Sequence, residues 1–297
     1  MTNQTQLGGT FNFPSTTFTV HRIGYGAMQL AGPHVFGPPH DRSEAIAVLR
    51  EAIDSGVNHI DTSDFYGPHV TNQIIKEALY PYPKDLTLVT KVGARRGNDG
   101  SWILDRSHEN LVESIHDNLR NLSLDALDIV NLRMGGLSAP EPGSIAEPLQ
   151  VLIELKQQGL IRHIGLSTVT PEQFAEAQTL AEIVCIQNFY NVAVRGDDAF
   201  IDDLAKQDIA YVPYFPLGGF SPLQSSVMDT VAASLGVTPM QVAQAWLLHR
   251  SPNILLIAGT SRRTHLRENL NVAKLELAPE VIAQLDSIGV AGATKQD

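Results

Sequence analysis

Short apolar runs alternate along the chain with longer stretches in which apolar residues recur every three to four positions. Residues 42–55, RSEAIAVLREAIDS, place Ile46, Leu49 and Ile53 on one helical stripe. Asp41, followed three residues on by Glu44, has the pattern of a capping box, and Gly56 is a natural helix stop. The apolar run VNHID then ends at Asp61. The unit repeats: TNQIIKEALY precedes LTLVTK, which ends at Lys91. HENLVESIHDNLRNL, with Leu111, Ile115 and Leu119 on one face, precedes LDIVNLR, which ends at Arg133. IAEPLQVLIELKQQ, stopped by Gly159, precedes IRHIGLS. PEQFAEAQTLA, DAFIDDLAKQ and PMQVAQAWLLHR precede IVCIQN, AYVPYF and ILLIAGT.

With RIGYGAM as the first, eight short strands are separated by helices. That alternation predicts parallel βαβ units in an α/β fold, and eight of them predict a closed (β/α)8 TIM barrel. An open doubly wound sheet is the alternative. No linker or composition shift interrupts residues 1–297, which favours a single barrel domain. Residues 10–22, TFNFPSTTFTVHR, place a turn between apolar-alternating arms and are expected to form a hairpin capping the barrel bottom.

In such barrels the chemistry sits at the C-terminal ends of the strands. The residues there are Asp61, Lys91, Arg133, Ser167, Gln187 with Asn188, and Tyr214. Burying Asp61 and Lys91 separately would be costly, so pairing is the simplest resolution. A phenol with a pKa near ~10 is a poor proton donor or acceptor at neutral pH. A nearby ammonium favours phenolate and lowers that value, so Asp61 would hold Lys91, Lys91 would bias Tyr66, and Tyr66 would exchange a proton with substrate. By spacing alone, a turn-capping Asp61, a snorkelling Lys91 and a packed Tyr66 explain the pattern as well.

Composition narrows the setting. Lys plus Arg total 21 against 32 Asp plus Glu, a formal net charge of −11, and no basic run could track a phosphate backbone. Cys185 is the single cysteine and excludes an internal disulfide; its apolar neighbours in IVCIQ make it a core residue. The first twenty residues lack the pattern of a signal peptide, and no run approaches the ~18 apolar residues of a membrane span. A soluble, cytoplasmic protein without an obligate protein partner is expected. The histidines show no metal-ligand spacing, so no metal is expected; His69 is expected at the pocket mouth and His59 as an ordinary barrel residue.

The segments HIDTSDFYG, LTLVTKVG, QQGLIRHIGLSTV, IVCIQNFYN, VPYFPLGG and IAGTSRRTHLREN resemble, in order, the signature segments of the aldo-keto reductase superfamily. The resemblance runs from Arg22 to about Ala273. It implies a (β/α)8 barrel that binds NADPH without a Rossmann fold, in keeping with the wrong glycine spacing of GYGAMQLAG. It further implies that Asp61, Tyr66 and Lys91 are three members of a catalytic tetrad. Gly26, Ala27 and Met28 would line the first cofactor turn, and Asp61 with Ser167, Thr168 and Gln187 the nicotinamide end, with Tyr214 stacked on the ring. Pro216, Leu217 and Gly218 belong to a loop expected over the pyrophosphate. Gly259, Thr260, Ser261, Arg262, Arg263 and His265 would surround the 2′-phosphate, and Glu268 and Asn269 the adenine. Two adjacent arginines favour NADPH over NADH, since a guanidinium pairs bidentately with phosphate.

Two positions depart from the family, and the first is Thr168, which stands where an asparagine is usual and offers a hydroxyl of shorter reach. The second is Arg133, which stands where a histidine completes the tetrad, and an arginine cannot relay a proton. It can donate hydrogen bonds to a carbonyl oxygen and stabilise charge growing there. Within the superfamily, GYGAMQLAGPHVFGPP, DTSDFYGPHVTNQIIKEALYPYP and DIVNLR are similar to bacterial pyridoxal reductases, which reduce pyridoxal to pyridoxine with NADPH. The competing expectations are a general carbonyl or methylglyoxal-type reductase, a Schiff-base aldolase using Lys91, and a catalytically weak NADPH-binding redox sensor. The loops 32–40, 93–105 and 216–227 are expected to set specificity.

Overall fold

The computed structural model describes residues 7–137, 139–216, 218 and 225–293. Strands β3 (Tyr25–Gly26), β4 (His59–Asp61), β5 (Thr87–Val92), β8 (Leu127–Arg133), β9 (Ile161–Ser167), β10 (Ile183–Gln187) and β11 (Ala210–Tyr211) pair in parallel, each with the next of the series. Residues 253–257 close the ring. Ile254 bridges Tyr211 on one edge and Leu256 bridges Ile23 on the other. Their backbone bonds run both ways: Leu255 N–H to Tyr211 O at 2.9 Å, and Gly24 N–H to Leu256 O at 2.8 Å. The eighth strand is therefore ILLI, as its apolar run predicts, and the fold is the (β/α)8 barrel.

The intervening helices are α1 (Arg42–Asp54), α2 (Val70–Leu79), α3 (His108–Leu122), α4 (Ala146–Gln157), α5 (Pro171–Gln178), α6 (Asp198–Ala205) and α8 (Pro239–Arg250). Their apolar stripes pack on the outward face of the strands; Leu111 and Ile115 of α3 are fully buried, as their spacing predicts. Thr170 and Thr238 start α5 and α8 with complete capping boxes. Asp41 caps α1 by accepting from Glu44 N–H, but the reciprocal half is missing. The Glu44 carboxylate instead accepts from Arg263 across 219 positions of chain. Among the described residues no single helix is long and apolar enough to cross a membrane.

Outside the simple alternation lie a second hairpin, β6 (Ala94–Arg96) with β7 (Trp102–Leu104), and helices α7 (Ser226–Leu235) and α10 (Pro279–Ala293). A further helix, α9 (Arg263–Asn271), follows the closing strand.

The expected N-terminal hairpin is β1 (Thr10–Asn12) paired with β2 (Thr19–His21). Its Phe11, Phe13, Phe18 and Val20 enter the barrel interior beside Val89, Ile129, Val184 and Leu255. Phe13 lies edge-on to His59, and Phe18 edge-on to His163. Both histidines sit toward the strand starts, so the hairpin closes the end opposite Asp61 and Ser167 and leaves one open mouth.

His59 is a core residue, 1% exposed, and burial pushes its pKa down to about 4. A neutral buried imidazole contributes stability that is full above its unfolded pKa and is lost as pH falls from about 6.5 to about 4. The span corresponds to on the order of 3 kcal/mol. Urea titrations between pH 7 and pH 4 should show that acid limb, and His59→Gln should flatten it.

Candidate active site

Parallel register brings the strand ends to one level. Gly26 pairs with Asp61, Lys91 with Asn131, Arg133 with Ser167, and Ser167 with Gln187. β5 and β8 approach so closely at their ends that a Cβ on Gly93 would lie 2.7 Å from Arg133 O, and Gly93 also has φ +103°. Around this level opens a cavity of about 500 Å3 lined by Asp61, Tyr66, Lys91, Arg133, Gln187 and Tyr214, with Phe65 and Trp102 on one wall.

Lys91 and Asp61 are paired and buried, with Nζ to Oδ1 at 2.6 Å. Lys91 Nζ also donates to Thr62 O at 2.8 Å. The second Asp61 oxygen accepts from Gln187 Nε2 at 2.8 Å, a bond between residues on different sides of the ring. The bare turn-cap reading of Asp61 and the snorkelling reading of Lys91 are thereby set aside. Burial pulls the Lys91 ammonium down, but Asp61 and Tyr66 more than offset it, and its pKa lies above the ordinary lysine value. Lys91 Nζ stands 5.2 Å from the centre of the Tyr66 ring.

Tyr66 is buried, and here the sequence expectation is corrected. Burial raises the phenol pKa, Lys91 lowers it, Asp61 raises it again, and the net position is above the ordinary tyrosine value. The adjacent ammonium was the only influence that spacing could reveal; desolvation of the phenolate outweighs it. The consequence is a phenol that stays protonated at neutral pH.

The loop carrying Tyr66 is braced from behind. Asp64 accepts from Asn72 Nδ2 at 3.0 Å and Asn121 Nδ2 at 2.9 Å, and is paired with His69 at 2.5 Å. His69, expected at the pocket mouth, is not part of the cavity wall. It begins α2 in a left-handed conformation, with φ 66°, and its ring turns back to Asp64. Asp117 joins Asp64 and His69 in a grouping whose potential ligand atoms lie within 4.8 Å of one another. The Asp64 carboxylate there is already engaged by those partners.

Arg133 reaches the cavity from the end of β8. Its guanidinium donates to Gly136 O and, at 3.5 Å, to Ser167 Oγ, and it lies 5.8 Å from the centre of the Tyr214 ring. Thr168, with φ 55°, places its hydroxyl 3.2 Å from the Tyr214 hydroxyl. Tyr214 stacks on Phe189 at 5.9 Å. Gln187 Oε1 is buried and has no hydrogen-bond partner among the described residues.

The remaining candidates sort by position. Gly26, Met28, Pro216, Gly259, Thr260, His265, Glu268 and Asn269 line the cavity. Ala27 is buried behind it. Ser167 and Thr168 touch it only through Arg133 and Tyr214. Ser261, Arg262 and Arg263 lie beyond its rim, where α9 begins. The two arginines differ. Arg263 is held by Glu44 through its backbone N–H at 3.1 Å and its guanidinium at 3.1 Å, whereas the exposed Arg262 side chain has no partner among the described residues. Gly218 has φ +86°, while Leu217 and residues 219–224 lie outside the described residues. Sequence reading passed over Phe65 and Trp102. Phe65 sits beside Tyr66 within the quoted signature; Asn98-Asp99-Gly100 is a turn signal that marks the hairpin bearing Trp102.

The closed parallel barrel, its buried Asp–Lys pair and the tyrosine at its open mouth belong to a member of the aldo/keto reductase family, which residues 22–290 of the chain match. Over 281 residues it is 66% identical to the pyridoxine 4-dehydrogenase of Escherichia coli, covering 92% of this chain and 98% of that protein. It is 34% identical to an uncharacterised oxidoreductase of Schizosaccharomyces pombe, over 91% of this chain and 87% of that one. Among solved structures it is similar to the thermostable aldo-keto reductase Tm1743, crystallised with the inhibitor epalrestat, at 28% identity and a TM-score of 0.77. That likeness covers 95% of this chain and all of Tm1743. The glycerol dehydrogenase of Gluconobacter oxydans shares the fold, with a TM-score of 0.80 at 21% identity.

Proposed function

We propose that the protein is an NADPH-dependent carbonyl reductase that interconverts pyridoxal and pyridoxine, with Tyr66 as the general acid. The observation that carries this reading is a buried tyrosine facing a 500 Å3 cavity, set against a Lys91–Asp61 pair. The 66% identity to a pyridoxine 4-dehydrogenase supports the substrate.

The residues present fit the cofactor. The orphaned Gln187 Oε1 is an acceptor suited to a carboxamide N–H, and Tyr214 offers an aromatic surface at the same level. Arg262 is the arginine left free for a 2′-phosphate, with His265 on the cavity side of the same turn. When bound, NADPH supplies the hydride.

The protein's own part is to hold the carbonyl and move one proton. Tyr66 Oη donates its proton to the oxygen that becomes the alcohol, and Lys91, kept charged by Asp61, stabilises the phenolate that remains. Arg133 cannot move a proton, but it can turn from Gly136 O to the substrate oxygen and stabilise negative charge there. Pyridoxal carries a phenolic oxygen beside its aldehyde, so a planar guanidinium can serve both. Pyridoxine oxidation uses the same groups in reverse, with Tyr66 phenolate as the base.

The test is NADPH consumption over a panel of pyridoxal, pyridoxal phosphate, methylglyoxal and a nitrobenzaldehyde. Pyridoxal should be turned over best, with pyridoxine as product. Turnover of none would overturn the reading. Borohydride trapping of a carbonyl on Lys91 would put an aldolase in its place.

A further inference from the structure

The two loops that flank the cavity mouth, residues 32–37 and the β6–β7 hairpin, meet at one side chain. Arg96 of β6 donates from Nη1 to Val35 O at 2.8 Å and from Nη2 to His34 O at 3.1 Å. It also donates from Nη2 to Gly100 O at 2.7 Å, across the hairpin turn. The carbon at the centre of its guanidinium lies 4.0 Å from the centre of the Trp102 ring and 5.3 Å from that of Phe36. No carboxylate pairs with it among the described residues. The charge is spent on main-chain carbonyls and aromatic faces, which is the work of a fastener.

What it fastens is strained. His34 and Val35 have φ of 57° and 58°, a left-handed conformation that a β-branched residue such as Val35 disfavours. Two of the three carbonyls that Arg96 binds belong to those residues. The same loop is tied to the residue after Tyr66, since Gly67 N–H donates to Val35 O at 3.1 Å and Gly37 N–H to Gly67 O at 2.9 Å. On its other side Arg96 backs Trp102. That ring lines the cavity and stands edge-to-face with Phe65 at 5.6 Å and with Tyr66 at 6.4 Å.

We propose that Arg96 is a positioning residue for substrate selectivity: by clamping Trp102 and residues 34–35, it fixes an aromatic wall that favours flat aromatic aldehydes over small aliphatic carbonyls. It reaches substrate only through Trp102, and it lies outside the proton-transfer set. The proposal rests on the carbonyl-reductase reading for its kinetic arm alone.

Arg96→Met keeps the stem and removes every donor; Arg96→Lys keeps the charge without the fork. Steady-state kinetics with nitrobenzaldehyde and methylglyoxal should show KM for the aromatic aldehyde rising about tenfold in Arg96→Met, with kcat and the methylglyoxal KM near wild type. Arg96→Lys should shift the same way to a smaller extent, and it carries the measurement if Arg96→Met does not fold. Combining Arg96→Met with Trp102→Leu should add little to Trp102→Leu alone. Equal losses for both substrates, or an unchanged aromatic KM, would overturn the proposal. A second arm needs no activity. Of the two tryptophans, Trp246 is buried, so acrylamide quenching reports on Trp102 and should rise in both Arg96 variants. Unchanged quenching would refute the clamp. If the wild type reduces no carbonyl, the carbonyl-reductase reading fails, and quenching still decides whether Arg96 holds Trp102.

Discussion

Replacing Tyr66 by Phe is expected to lower kcat/KM for carbonyl reduction by about 10²–10⁴-fold, the range for a lost general acid. The ring would keep its edge-to-face contacts with Phe65 and Trp102, so the melting temperature should stay near wild type. Only the hydroxyl goes, and Arg133, the neighbour at the end of β8, cannot supply a proton in its place. The pH profile of the parent enzyme is the companion measurement. With the phenol pKa above the ordinary tyrosine value, the proton donor is present throughout the neutral range. Reduction should therefore be level across neutral pH and fall only on the alkaline side, as Tyr66 ionises. Wild-type turnover in Tyr66→Phe would remove Tyr66 from the chemistry.

Arg133→Ala is expected to cost about 10²–10³-fold in kcat, as for removal of a donor to a developing oxyanion. NADPH affinity, followed by fluorescence titration, should change little, since the role proposed for Arg133 is on the substrate oxygen. A larger loss in cofactor binding than in turnover would instead make Arg133 a cofactor ligand acting through Ser167. Unchanged turnover would sink its role as an electrostatic clamp.

The barrel was legible because each strand is a short apolar run ending in a polar residue, and each helix carries its own stripe. Even the closing strand at 253–257 could be read, although it holds the ring by single bridges to either edge. The Asp61–Lys91 pair could be inferred because two buried opposite charges have few alternatives. What stayed hidden depends on contacts distant in sequence. Glu44 looked like half of a capping box, but its carboxylate is drawn to Arg263, and that pairing is also what separates Arg263 from Arg262. The β6–β7 hairpin, rich in charge and without apolar alternation, is held by Arg96 across 61 positions to Val35. The Tyr66 pKa was misjudged in sign because spacing can disclose a neighbouring ammonium, whereas burial becomes visible only when the walls are in place.

The bond from Gln187 to Asp61 joins strands β10 and β4, and the bond from Lys91 to Asp61 joins β5 and β4. The proton-transfer unit is therefore completed only across the barrel: Asp61, Tyr66 and Lys91 share the β4–α2–β5 unit, and Gln187 comes from a far strand. No hairpin, half-barrel or single βαβ unit of this chain contains all four residues, and a molecule with its secondary structure formed but its ring open would hold Asp61 without Gln187 from the far side. The orientation of the Asp61 carboxylate is thus a property of ring closure, because one of its two oxygens is held from a far strand.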